Sequence, residues 1–269
     1  VEPIDLITQY SADVIRYWAG SGRLGTDIVF SEETLLRGKK LINKIWNVSK
    51  FIEMHLTDYE DREFNDYEYI DKWILGSFQE MEKGFIKYLD EYEVGIALNT
   101  LEKFFWNFCD NYIEIVKHRL YRPEEFGDVP RYSGQKTIYT ILYKLLQDFS
   151  IFFPFITEEI YQELFKNQKS IHITEIKPLD FNFESEMKNG ELIMNIISQA
   201  RGEKTNNNVS LKTPIKNLDL SLNKELEDAI NASIKDFKAT LFIENLNINS
   251  VEKDYMVDSI ELDLSNDEK

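Results

Sequence analysis

The chain has 269 residues, and its 48 Asp and Glu against 31 Lys and Arg give a formal net charge of −17. That excess of acid excludes broad, unspecific nucleic-acid binding, which needs cations to displace phosphate counterions; it leaves room for a local strip shaped for one partner. Hydrophobic residues make up 43% of the chain, enough for about two domain cores, yet no apolar run approaches the ~20 residues of a membrane span.

The opening, VEPIDLI, has neither an initial Met nor a cationic leader with a cleavage site, so the chain reads as cut from something longer. Two short helices are predicted in PIDLITQYSADVIRYWAG, with Pro3 in a first turn, Ser11 placed as a cap and Asp13 in the turn that follows it. Gly20, Gly22 and Gly25 break that pattern, and TDIVF at 26–30 reads as extended. From Ser31, another capping residue, Leu41, Ile45, Val48 and Ile52 recur at spacings of four, three and four, which predicts a helix with a buried stripe.

A second amphipathic helix is predicted over about 67–89, through Ile70, Trp73, Ile74, Phe78, Met81, Phe85 and Leu89. The third and longest, near 93–121, aligns Val94, Leu98, Leu101, Phe105, Phe108, Tyr112 and Ile115 and ends in KHRLYRP, where Pro123 stops it. EEFGDVPRYSG reads as a turn-rich link, 135–150 as a further helix, and TEEIYQELF as a restart after Pro154. Beyond about residue 178 one helix through ELIMNIISQA leads to a polar loop, GEKTNNNVS. NLDLSL, FIENLNI and SIELDL then alternate as strands, with the helical KELEDAINASIKDF between the first two and a frayed SNDEK at the end. The expected fold class is mainly α, a helical bundle followed by a small α+β domain.

Several apparent site motifs have plainer readings. GSGRLG at 20–25 matches a dinucleotide fingerprint, but a helix precedes it and an extended segment follows, the reverse of what a phosphate cradle needs. Cys109 and His118 are nine residues apart, about half a turn out of phase on one helix, which fits a packed cysteine and a solvated histidine better than a nucleophile and its base. Glu158 and Glu159 follow Pro154 and suit the first turn of a helix rather than acid/base work. A single cysteine excludes an internal disulfide and fits a reducing cytosol; His55, His118 and His172 are too scattered for metal ligation.

The stretch 37-RGKKLINKIWNVSKF-51 is different, with five cations and no acid. Arg37, Lys40, Lys44, Asn47 and Phe51 recur at spacings of three, four, three and four, so they share one helix face beside the apolar stripe. Cations for phosphates, an amide for a base edge and a ring for an unstacked base are what looped or single-stranded RNA requires. An ordinary solvated face, with Phe51 in the core, fits the same residues.

The segments PIDLITQYSADVIRYW, SGRLGTDIVFSEE, NKIWNVSKFI, DKWIL, FFWNFCDNYIEIVKHRLY, PFITEEIYQELF and SIHITE resemble, in order, the valyl-tRNA synthetase family over about 1–215. WNFCDNYIE with K-x-R after it resembles the valyl pattern, where isoleucyl enzymes carry a different tryptophan-tyrosine segment. In that family VEPIDLI follows the KMSKS loop, and neither that motif nor a HIGH-type motif occurs here. The resemblance therefore implies a non-catalytic anticodon-binding portion with no cofactor of its own; ATP with magnesium serves the full-length enzyme. It implies a cytoplasmic monomer off the membrane, partnered by valine tRNA and by the enzyme's own catalytic domain.

Residue by residue, Asn43, Lys44, Asn47, Lys50 and Phe51 fall on the family's N-K-x-x-N-x-x-[RK]-F segment, whose helix faces the anticodon loop. Phe51 would be the stacking platform, Lys44 and Lys50 would meet backbone or base edges, and Arg37 and Lys40 extend the face by spacing. Arg16, Arg23, Lys117 and Arg119 are the candidate stem contacts. The implied division is 1–30 as a connecting, stem-contact segment, 31–178 as the anticodon-binding bundle and 179–269 as the small α+β domain. The sequence departs from the family at Glu33, where some bacterial members carry a base, at Ser150-Ile151, at Ile176, and at Gly202 and Asn207 within a basic-then-SL segment. No heptad run for an elbow-supporting coiled coil follows residue 215. Two rivals remain, an isoleucyl anticodon domain and a helical module whose acidic surface binds a basic protein.

Overall fold

The computed structural model describes residues 3–25, 27, 30–166, 169–252 and 255–265. Most of the extended TDIVF expectation and of the frayed SNDEK end lies outside them. In chain order the elements begin with α1 (Pro3–Tyr10), α2 (Ala12–Gly20), α3 (Glu32–His55), α4 (Tyr69–Asp90) and α5 (Val94–Asn107). A π-helical turn, Phe108–Tyr112, leads to α6 (Ile113–Tyr121), α7 (Pro123–Phe126), α8 (Asp128–Phe149), α9 (Pro154–Phe165) and α10 (Glu184–Asn206). The last part runs β1 (Ile215–Leu222), α11 (Lys224–Ala232), α12 (Ile234–Leu241), β2 (Ile243–Ser250) and β3 (Tyr255–Leu262). The fold is thus mainly α, a helical bundle with a small α+β part, as the periodicity predicts.

Contacts divide the chain into two compact units: Val1–Arg62, Ser77–Cys109 and Gln135–Phe181 form the first, and Glu63–Gly76, Asp110–Gly134 and Asn182–Lys269 the second. Of the five dividing points, one falls inside α4, one inside the π-helical turn and one inside α8, and the other two lie between helices.

In the first unit α3 is anchored by its predicted stripe, for Leu41, Ile45, Val48 and Ile52 are all buried. Ser31 caps it, its hydroxyl accepting from the Thr34 N–H at 3.2 Å. Leu6, Val14 and Leu35 make the cluster that joins α1, α2 and α3. A Cβ on Gly38 would stand 2.6 Å from the Tyr17 ring, so glycine is what lets α2 lie this close to α3. Ser11 does not cap α2: its φ is +84° and its side chain makes no capping bond. Asp13 serves the far end of this unit instead, accepting from the Ile156 N–H at 2.9 Å and the Phe155 N–H at 3.3 Å, and so capping α9. Burial pushes its carboxyl up, against the pull of those two N–H groups. Edge-on ring pairs fill the interior, Phe78 with Phe104 at 5.2 Å and Phe105 with Phe149 at 5.5 Å.

In the second unit β1 is central, parallel to β2 and antiparallel to β3, in the order β2-β1-β3. The parallel pair needs a crossover, which α11 and α12 supply. Leu218, Leu220 and Leu222 alternate inward, as the pattern of NLDLSL predicts. On α10, a Cβ at Gly190 would come within 2.3 Å of the Trp73 ring.

Three boundaries differ from expectation. The link EEFGDVPRYSG is broken at Gly127 alone, with φ +99°; α8 starts at Asp128 and takes Pro130 in its first turn, where a missing N–H costs nothing. The loop expected at 202–210 is helical to Asn206, because Lys204 is buried and donates to Leu211 O at 3.0 Å and Leu241 O at 2.8 Å. The long helix at 93–121 is interrupted by its π turn, so the phase computed for Cys109 and His118 on one continuous helix does not apply. Cys109 is buried as expected. His118 is half-buried rather than solvated, its Nδ1 2.8 Å from Arg122; burial first, then Arg122 and Lys117, bring its pKa down to about 4.

Candidate nucleic-acid interface

Helix α3 presents Arg37, Lys40, Asn43 and Asn47 to solvent, with Lys44, Lys50 and Phe51 half-buried beside them. The backbone turn of 3.6 residues places these positions together, and the buried stripe beside them, about 100° around the helix, holds the face outward. The structure thus brings the sequence-derived ridge onto one surface of the first unit.

A residue that spacing alone does not reveal joins it. Trp106 of α5 lies under the ridge, with Lys40 Nζ and Lys44 Nζ each 5.6 Å from its ring centroid. Its indole N–H donates to Glu102 Oε1 at 3.3 Å, and Glu102 Oε2 accepts from the Tyr17 hydroxyl at 2.9 Å. Burial, then the Glu102 bond, push the Tyr17 phenol up to about 12, with Arg37 pulling the other way. The chain of bonds from Tyr17 through Glu102 therefore fixes the indole from behind. The signal in the sequence is that Trp106 stands one residue off the apolar stripe containing Phe105, about 100° around the helix.

The C-terminal end of the ridge is more encumbered. Lys50 pairs with Glu163 at 2.5 Å and Glu53 at 3.1 Å, and its ammonium sits 4.7 Å from the Trp46 centroid. The Glu163 bond, foremost among these, holds the ammonium above its ordinary range. Phe51 meets His55 edge-on at 4.6 Å.

The candidate stem contacts separate. Arg23 is well exposed and pairs with Glu93 at 3.7 Å; Arg16 donates to Ile151 O at 2.8 Å and Phe152 O at 3.1 Å. Lys117, in the second unit, pairs with Glu114. Arg119 has to be withdrawn, since it is 1% exposed. Its guanidinium donates to Asp71 Oδ2 at 2.8 Å, Asp71 Oδ1 at 2.7 Å and Pro130 O at 2.9 Å. Its Nε lies 2.9 Å from Asp236 Oδ1 but out of line for a hydrogen bond. A buried guanidinium held between two carboxylates reaches no ligand.

No cluster of His, Cys, Asp and Glu suited to a metal ion occurs among the described residues. No helix among them is long and apolar enough to cross a membrane.

Residues 71–220, more than half of the chain, match the family described as the anticodon-binding domain of tRNA ligase, and the chain belongs to that family. The ridge on α3 precedes the matched stretch. Among similar curated proteins, valine–tRNA ligase of Rickettsia conorii is 38% identical over 234 residues, covering 81% of this chain and 28% of the relative. The Ehrlichia ruminantium valine–tRNA ligase is 37% identical over 249 residues, covering 91% of this chain and 30% of the relative. That of Rickettsia prowazekii is 36% identical over 259 residues, 88% of this chain and 31% of the relative. The chain spans less than a third of the length of these relatives.

Proposed function

We propose that the chain is the anticodon-reading portion of a valine–tRNA ligase, the enzyme that joins valine to its tRNA using ATP. The observation that carries this reading is the cationic face of α3, exposed on an otherwise acidic chain that belongs to an anticodon-binding family. Arg37, Lys40 and Lys44 take phosphates, Asn43 and Asn47 take base edges, and Phe51 stacks, with Lys50 joining once it leaves its carboxylates. Phosphate contacts supply salt-dependent affinity, and stacking with base-edge bonds supplies choice.

On this reading 31–178 is the anticodon-binding bundle and 1–30 a connecting segment whose Arg16 and Arg23 meet the stem, with Lys117 as a further stem contact. The stretch 179–269 is the small α+β domain. Activation of valine, with ATP and magnesium, belongs to a catalytic domain of the parent enzyme that this chain adjoins. The parent works as a monomer in the cytoplasm. The experiment is binding of the chain to valine tRNA and to the same tRNA with its anticodon bases changed, in moderate salt. The reading requires weaker binding to the changed tRNA; equal binding to both would reject it.

A further inference from the structure

Two cations over one ring need a reason. Lys40 and Lys44 are one helical turn apart on α3, where like charges repel, yet both ammonium groups stand 5.6 Å from the Trp106 centroid. The ring's negative face offsets that repulsion and gathers two phosphate-binding groups around one aromatic surface. The indole is held by Glu102, which Tyr17 holds in turn, so the ring is set before any ligand arrives. A half-buried aromatic with fixed orientation, covered by cations on flexible stems that swing from its face to phosphates, is the chemistry that binds a nucleotide in single-stranded RNA, with base on ring and phosphates on ammonium groups.

The Phe51 end offers less. Its neighbour Lys50 is engaged by two carboxylates, and Phe51 already has His55 against its ring. From Lys44 to Phe51 the helix rises about 10 Å at 1.5 Å per residue, room for roughly three base steps of 3.4 Å. The ridge therefore has space for two stacking positions rather than one.

We propose that Trp106 is a stacking platform for an unpaired base of the RNA, acting with Lys40 and Lys44 on the flanking phosphates as one nucleotide subsite distinct from Phe51. This rests on the anticodon-reading function proposed above and adds a residue and a place to it.

The test is binding of the whole chain to an RNA hairpin bearing the valine anticodon loop, for wild type, Trp106→Leu, Trp106→Phe and Phe51→Leu, with thermal melts to show that each variant is folded. Trp106→Leu should bind roughly tenfold more weakly, Trp106→Phe should recover most of that loss, and Trp106→Leu with Phe51→Leu should lose more than either alone. Equal weakening by Trp106→Leu and Trp106→Phe would mean that the Glu102 bond matters and stacking does not, which overturns the subsite. Unchanged binding by a folded Trp106→Leu chain would overturn it too while leaving the anticodon reading intact. If the wild-type chain binds a second hairpin with altered anticodon bases equally well, the anticodon reading fails, and the subsite with it.

Discussion

Lys50 of α3 and Glu163 of α9 face each other at 2.5 Å, and Glu53 shares the same ammonium at 3.1 Å. A cation held by two carboxylates is a poor phosphate ligand until one of them yields. Glu163→Gln removes the nearer competitor and should strengthen RNA binding roughly two- to five-fold, the range of exposed ion pairs. Titration with valine tRNA at two ionic strengths checks this, and the gain should shrink as salt screens the pair.

Lys40 and Lys44 should act as phosphate contacts and thus weaken binding without regard to base sequence. Replacing either with Ala should reduce the slope of log affinity against log salt by about 0.7, the value for one contact on a single strand. Titrations across a salt series supply the slope, and no change in it would remove that lysine from the phosphate set.

Arg119 should matter for folding and not for RNA. Arg119→Met leaves the buried Asp71 without its cation, so urea unfolding should show a loss of about 3–5 kcal/mol. The folded fraction should bind tRNA as wild type does, because the guanidinium is 1% exposed.

Asp236 gives this site a pH dependence. Burial, foremost, and the nearby Asp71 and Glu68 push its pKa from 3.8 to about 7, against the pull of Arg119. Between those values the folded chain holds a proton that the unfolded chain has released. Its stabilising contribution is therefore full below pH 3.8 and is lost as pH rises through about 7. Asp236→Asn removes that dependence, so the variant's stability relative to wild type should climb across this window and level off above it, as urea unfolding at stepped pH would show.

The legibility of the chain followed how far each signal reaches. The α3 stripe and the Leu218, Leu220, Leu222 alternation are periodic and local, and both are legible in the sequence. Arg119 misled because a base near a helix C-terminus is ordinarily solvated, and its partners Asp71 and Asp236 lie far along the chain. Lys204 misled in the same way, turning a polar stretch into a buried helix end through two carbonyls that only tertiary packing supplies. Within the candidate site, Arg37, Lys40 and Lys44 declare themselves by spacing, whereas Trp106 belongs to another helix and joins them only through the fold.

The most direct test of the anticodon-reading claim is a double-mutant cycle between protein and RNA. Binding is measured for the wild-type chain and Phe51→Ala, each with valine tRNA and with the same tRNA altered in its anticodon. If α3 reads the anticodon, the two changes are coupled, and Phe51→Ala narrows the gap between the tRNAs by about 1 kcal/mol or more. If the gap between the tRNAs is the same for both proteins, or absent in wild type, Phe51 does not read the anticodon and the account of α3 is contradicted.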